Sequence, residues 1–193
     1  MSEKPQDVVS GYLQQQMLIA MPAMDDPNFS RSVTLLCQHN EEGAIGITIN
    51  RRSTISLGEL FSQLEISCEN SEIKSLNVLE GGPVNPDRGF VLHTPIEGFD
   101  SSIKISDDIM VTTSRDVLAA IANGDGPKQF LVALGYAGWS DGQLESEMRQ
   151  NAWLSVPADK AIVFESALKA RWEKAVAILG IDINSLHGVG GHA

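Results

Sequence analysis

Apolar residues gather along this chain in short runs separated by clusters of glycine, proline, asparagine and aspartate. The run Met17-Leu18-Ile19-Ala20 closes on Met21-Pro22, and residues 32–37 are rich in β-branched side chains, so both predict strands. Asp25-Asp26-Pro27-Asn28 predicts a turn between them, and Asn40-Glu41-Glu42-Gly43 predicts a hairpin connection into a third strand over 44–49. Leu57, Leu60, Phe61 and Leu64 then recur at helical spacing behind a Ser56 and Glu59 capping box, which predicts a helix over 57–64. Residues 66–75 read as polar and irregular. Further strands are predicted at 76–79, 89–92, 103–105 and 109–112. Thr113 with Asp116 predicts the cap of a helix that carries Val117, Leu118 and Ile121 and stops at Asn123-Gly124.

The last third reads as a buried strand over 130–134, a helix over 141–150, a strand over 153–156 stopped by Pro157, and a closing helix. That helix presents Leu168, Trp172, Ala175, Val176 and Leu179 as one apolar stripe and ends at Gly180. About eight short strands and four helices, with hairpins early and mixed order later, predict one α/β or α+β domain. Its sheet is expected to be mixed and largely antiparallel, with about four flanking helices. No repeat or low-complexity linker divides the chain. The expected organisation is a polar extension over 1–12, a single domain over 13–184 and a disordered tail over 185–193.

Charge narrows the function classes. The chain of 193 residues carries a formal charge of -11, which opposes an electrostatic grip on nucleic acid backbones, and Arg51-Arg52 is its only adjacent basic pair. The same charge opposes binding to anionic membranes, and no apolar run approaches the roughly 20 residues of a membrane-spanning helix. The start Met1-Ser2-Glu3-Lys4-Pro5-Gln6-Asp7 lacks the order of a secretory signal, and two separated cysteines, Cys37 and Cys68, suit a reducing compartment, so a cytoplasmic location is expected.

The candidate chemistry concentrates after the 130–134 strand, in Gly135-Tyr136-Ala137-Gly138-Trp139-Ser140-Asp141-Gly142-Gln143-Leu144-Glu145 and on to Asn151-Ala152-Trp153. Glycines let a backbone approach a ligand, while Trp, Gln and Glu supply a flat apolar face with hydrogen-bonding groups beside it. Glu145 and Glu147, two residues apart on a helix, point roughly 200° from one another and cannot form a carboxylate pair. Gln143 and Glu147 share a face, and Glu145 has Arg149 four residues on as an ion-pair partner; the plainer role for Glu147 is a hydrogen bond to nearby backbone. Trp153 reads as core, and Trp139 as either packing or the wall of a pocket.

Gly81-Gly82-Pro83 fits either an anion-binding nest, with Arg51 or Arg88 as counter-charge, or a tight turn between strands. Asn50-Arg51-Arg52 ends a strand, where Arg51 either clamps an anion or lies on a surface turn. Cys37 and His39 share a strand face, which suits a thiolate-imidazole pair or a buried core cysteine. His39, His93, His187 and His192 show no metal spacing, and the glycine clusters match no P-loop or dinucleotide motif, so neither metal nor cofactor is expected.

Leu18-Ile19-Ala20 with Asp25 and Phe29, Gly43-Ala44-Ile45-Gly46 leading to Asn50-Arg51, Gly81-Gly82-Pro83-Val84, and the long block through Trp153 together resemble the AlgH/YqgE family of bacterial proteins. The resemblance runs from about Leu13 to Ile181. It implies a single cytosolic α/β domain on a folded, half-barrel-like sheet and assigns no reaction. It also brings a family label of transcriptional regulator, against which stands the lack of a helix-turn-helix pattern with a basic second helix.

Three expectations follow. The first is a binding or adaptor protein with a pocket for a small anionic ligand or a partner segment, built from Asn50, Arg51, Gly81, Gly82, Gly138, Trp139, Gln143 and Glu147. The alternative is a hydrolase or transferase using Glu147 or Glu145 as acid or base with Arg51 on an anionic group. The third is a regulator acting through another protein rather than on DNA.

Overall fold

The computed structural model describes residues 12–182 and Ser185. The extension expected over 1–12 falls almost entirely outside the described residues, as does the tail over 185–193 apart from Ser185. Strands β1 (Gln16–Ala20), β2 (Val33–Asn40) and β3 (Gly43–Thr48) form an antiparallel meander. Met17, Ile19, Val33, Leu35 and Ile47 enter one core, while Leu18, Ala20, Leu36 and Ala44 enter a second on the opposite face. Both faces are covered, which is why these strands read as unbroken apolar runs rather than as alternation.

Next come β4 (Arg52–Ser56), α1 (Leu57–Gln63), α2 (Ser71–Ser75), β5 (Asn77–Glu80) and β6 (Val84–His93). β7 (Ser102–Lys104), β8 (Met110–Thr112), α3 (Arg115–Asn123) and β9 (Phe130–Ser140) follow. The chain then forms α4 (Gln143–Arg149), β10 (Trp153–Pro157), a π-helical turn at Ala161–Glu165, a 3-10 turn at Leu168–Ala170 and α5 (Arg171–Ile178). The result is one mixed domain on a curled, mostly antiparallel half-barrel sheet, in the order β10-β1-β2-β3-β9-β6-β8-β7 with β4 and β5 as a side branch.

β9 is the hub. It runs antiparallel to β3 and β6 and parallel to β5. The sheet forks where β3 leaves β9: the Gly81 N–H donates to the Leu134 carbonyl at 2.8 Å, and the Gly81 carbonyl accepts from the Thr48 N–H at 2.8 Å. A Cβ on Gly82 would lie 2.1 Å from the Tyr136 carbonyl carbon, and one on Gly135 would lie 2.4 Å from the Gly82 oxygen. Backbone crosses backbone here, and only glycine leaves the room. Gly135 also sits at a φ of +78° and inverts the alternation of β9. Ala133 faces the first core, whereas Ala137 and Trp139, of the same parity, face the second.

Most predicted elements are present, with physical reasons for the departures. The Ser56 and Glu59 capping box forms as expected. α2 takes up the second half of the stretch expected to be irregular over 66–75, because the Asn70 side chain accepts from the Glu72 and Ile73 N–H groups. α3 is preceded by Ser114 rather than Thr113, and no side chain caps it. The Asp116 carboxylate instead accepts from Ser114 Oγ and from the backbone of Asp100 and Val117. The closing helix starts at Arg171, since residues 168–170 wind as a 3-10 turn. β9 continues six residues past the expected end, to Ser140.

Candidate functional site

α4 is carried back over the second face of the sheet by the turn at Asp141-Gly142, with Gly142 in the left-handed region at a φ of +71°. Leu144, 1% exposed, anchors the helix in the second core. Gln143 and Glu147 then fall on one face, as their spacing predicts. Gln143 Oε1 accepts from the Ser140 N–H at 3.0 Å and its hydroxyl at 3.2 Å, while Nε2 donates to Glu147 Oε1 at 3.2 Å.

Glu147 Oε2 accepts from two indoles, Trp139 Nε1 at 2.7 Å and Trp153 Nε1 at 3.1 Å. The predicted backbone partner of Glu147 is thus replaced by tryptophan side chains from two different strands. Both tryptophans are buried, 6% and 3% exposed, and their rings meet edge to face at 5.9 Å. A buried indole needs an acceptor, and one carboxylate oxygen satisfies both. Phe29 completes the aromatic group, 5.6 Å from Trp153 and 6.4 Å from Trp139.

Asn50 and Arg51 act on this group from a distance. Arg51 donates to the Pro27 carbonyl at 2.6 Å and the Ser30 carbonyl at 2.8 Å, which bracket Phe29. Asn50 accepts from the Val33 N–H and donates to the Arg31 carbonyl, both at 2.9 Å. The guanidinium read as an anion clamp or as a free surface arginine is instead a clasp on the 27–30 turn. Gly81 spends its N–H on Leu134, and Gly82 packs on β9, so this cluster forms a strand crossing. Gly138 pairs with Ile45 along the β3 and β9 ladder. Gln143, Glu147 and Trp139 are therefore joined directly, whereas Asn50, Arg51, Gly81 and Gly82 each have separate partners.

A second polar pair joins β2 to α4. His39 Nε2 lies 2.6 Å from Glu145 Oε1, and His39 Nδ1 is 2.8 Å from the Leu13 N–H. The backbone donor makes Nδ1 the acceptor, so Nε2 carries the proton and donates to the carboxylate. Burial raises the Glu145 carboxyl, but its own backbone N–H, the His39 hydrogen bond and the nearby Arg149 charge outweigh it, and the net shift is downward. His39, not Arg149, is the contact partner of Glu145. The other carboxylate oxygen, Oε2, is buried without a partner.

The Cys37 and His39 pair does not form. The register shift between Leu36 and Gln38 separates them: Cys37 packs against the first core while His39 meets α4. Burial pushes the Cys37 thiol up to about 12. The His39 and Glu145 contact spans 106 positions and had no local signal. Among the described residues no group of three His, Cys, Asp or Glu side chains could hold a metal ion, and no helix is long and apolar enough to cross a membrane.

Comparison with known proteins matches residues 17–184 to the family model described as AlgH-like. A UPF0301 protein of Xanthomonas campestris pv. campestris (strain B100) is 49% identical over 181 residues, covering 94% of this chain and 96% of the relative. A UPF0301 protein of Pseudoalteromonas translucida (strain TAC 125) is 48% identical over 182 residues, covering 94% and 98%. The solution structure of the AlgH protein from Pseudomonas aeruginosa superposes with a TM-score of 0.78 at 43% identity, covering all of both chains. A crystal structure of a Corynebacterium diphtheriae protein shares the fold, with a TM-score of 0.60 at 22% identity over 77% of each chain.

Proposed function

The chain belongs to the AlgH-like family, and on that premise we propose that it is a cytoplasmic binding or adaptor protein for a small anionic ligand or a partner segment, without direct contact to DNA. The observation that carries this reading is the capture of Glu147 by both indoles and by Gln143. An acid or base must present its proton site to a substrate within hydrogen-bond reach. Here the carboxylate oxygens are already engaged, and the neighbouring Glu145 is engaged by His39. His39 in turn has both ring nitrogens occupied. Arg51, the anion site of the enzyme alternative, is turned to the 27–30 carbonyls. These contacts support a binding role over a hydrolase or transferase built on Glu147 and Arg51, and Glu145 keeps only its buried Oε2 without a partner.

The partner-segment form has further support. Trp139 lines a cavity of about 180 Å³ with Gln38, Asn40, Glu42 and Gly43, at the hairpin of β2 and β3. The Gln143 and Glu147 network holds that tryptophan in one orientation, a preorganised wall of the kind that reduces the entropy lost on binding. The formal charge of -11 supports a partner other than nucleic acid.

A thermal-shift screen with metabolites, nucleotides and peptides, run beside a pull-down, tests the proposal. Saturable stabilisation by an anionic compound or peptide is expected. No stabilisation together with an empty pull-down contradicts it, and binding to duplex DNA that persists as salt is raised contradicts the exclusion of DNA.

A further inference from the structure

Arg171 is the first residue of α5 and is buried, with 4% of its surface exposed. Its Nη1 donates to the Ile49 carbonyl, while its buried Nε has no hydrogen-bond partner. Neither the His39 and Glu145 pair nor the Lys104 and Asp107 pair involves this guanidinium, and burial is the cause of its pKa shift, with no carboxylate beside it among the described residues. Burial lowers its pKa to about 10, which leaves it charged at neutral pH. A charge removed from water without a counter-charge is costly, and such groups in native proteins are normally paired or hydrogen-bonded throughout.

The side chain lines a cavity of about 160 Å³ between β5, the start of β9 and the 3-10 turn. Leu57, Leu79, Phe130 and Leu168 supply apolar walls, and Leu76 and Asn77, both exposed, lie at the rim. An apolar cavity of about 150 Å³ accommodates one benzene. The site thus combines room for one compact apolar body with a single buried cation. With Nη1 held by Ile49, the guanidinium retains its Nε and Nη2 edge, whose two parallel N–H groups match the two oxygens of a planar carboxylate. Phosphate fits less well, because apolar walls cannot satisfy its remaining oxygens and one cation offsets only one charge.

We propose that this cavity is a binding site for a small monocarboxylate with a compact apolar body, the carboxylate pairing with Arg171 and the body packing among Leu57, Leu79, Phe130 and Leu168. The site is separate from the Trp139 wall and stands whether or not that wall binds anything.

The test is a nuclear magnetic resonance titration of the full chain with benzoate at millimolar concentrations, with acetate, benzyl alcohol, chloride and inorganic phosphate in parallel. Benzoate is expected to shift the Arg171 Nε–H resonance and the amides of Asn77, Leu131 and Leu168 saturably. Acetate, which lacks the body, and benzyl alcohol, which lacks the charge, are expected to bind about ten-fold more weakly or less. Arg171→Met, which keeps the stem, is expected to lose benzoate binding. Should that variant fail to fold, Leu168→Trp fills the cavity while keeping Arg171 in the chain and is expected to lose it as well. No saturable shift at Arg171 overturns the proposal. So does an equal response to chloride or phosphate, which marks an unselective anion contact, or a response confined to the Trp139 indole. Binding of a peptide ending in phenylalanine where benzoate fails overturns the small-molecule form.

Discussion

Replacing Glu147 with alanine removes one acceptor from two buried donors. The Trp139 and Trp153 indoles, 6% and 3% exposed, then have no partner on α4. Each stranded buried donor costs about 1–3 kcal/mol. Glu147 itself is half-buried, so water reaches part of the vacated space and holds the sum near the low end. A loss of about 2–4 kcal/mol is expected, which for a domain of this size lowers Tm by about 5–15 °C. Glu147→Gln keeps an oxygen that accepts from both indoles, but it gives up the charge assistance and turns its NH2 toward Gln143 Nε2, also a donor, at a half-exposed position, so its loss is expected at about 1–2 kcal/mol. Differential scanning calorimetry measures both, and the two indole N–H resonances should move with Glu147→Ala. A Glu147→Ala variant that melts within about 1 °C of wild type, with both resonances unmoved, refutes the assignment of this carboxylate as their structural acceptor.

Three further outcomes follow from the same geometry. Arg51→Ala frees the Pro27 and Ser30 carbonyls, so a loss of about 1–2 kcal/mol is expected in urea unfolding, with altered tryptophan fluorescence as Phe29 loosens; unchanged emission would count against the clasp. Gly82→Ala drives a Cβ into the Tyr136 backbone and should cost about 3 kcal/mol or more in the same assay, whereas an unchanged midpoint would deny the close crossing. His93 is fully buried: its Nδ1–H donates to the Thr94 carbonyl at 2.8 Å, and Nε2 accepts from the Thr112 hydroxyl at 2.6 Å. Burial lowers its pKa, offset in part by the Thr94 bond. The unfolded chain therefore binds the proton first, and stability should fall as pH drops below about 6.5. His93→Gln should flatten that slope, and an identical slope in the variant would remove His93 as its source.

The apolar skeleton was legible because β1, β2 and β3 are covered on both faces, and a short unbroken hydrophobic run bounded by turn residues suits a buried strand. β4 was not, since Arg52 to Ser56 is polar and partly exposed and is held only by its pairing with β5. In the sequence the strand ends at 134 and the glycines of 135–140 suit a close approach to a ligand, whereas the stretch continues β9. Gly135 instead leaves room for the Gly81-Gly82 backbone and inverts the pleat, so that Trp139 faces α4 rather than the first core, while Gly138 lies in the ladder with β3. Helical spacing correctly joined Gln143 to Glu147 and separated Glu145 from it. What spacing could not supply was the other side of each contact. Trp153 arrives from β10, His39 from β2 and the carbonyls that Arg51 holds from the 27–30 turn, all brought in by sheet order. Arg171 carries no local signal for a related reason: in the sequence it is one cation near an apolar stripe, and its burial with an unpartnered Nε exists only in the folded chain.

The central claim is that this protein binds a ligand without transforming it and that Glu147 builds the site rather than reacting in it. Mass spectrometry of a stabilising ligand after incubation with wild type and with Glu147→Gln tests this most directly. Recovery of the ligand unchanged from both proteins is the result expected. Its consumption by wild type and not by a folded Glu147→Gln would show Glu147 to be catalytic and contradict the account.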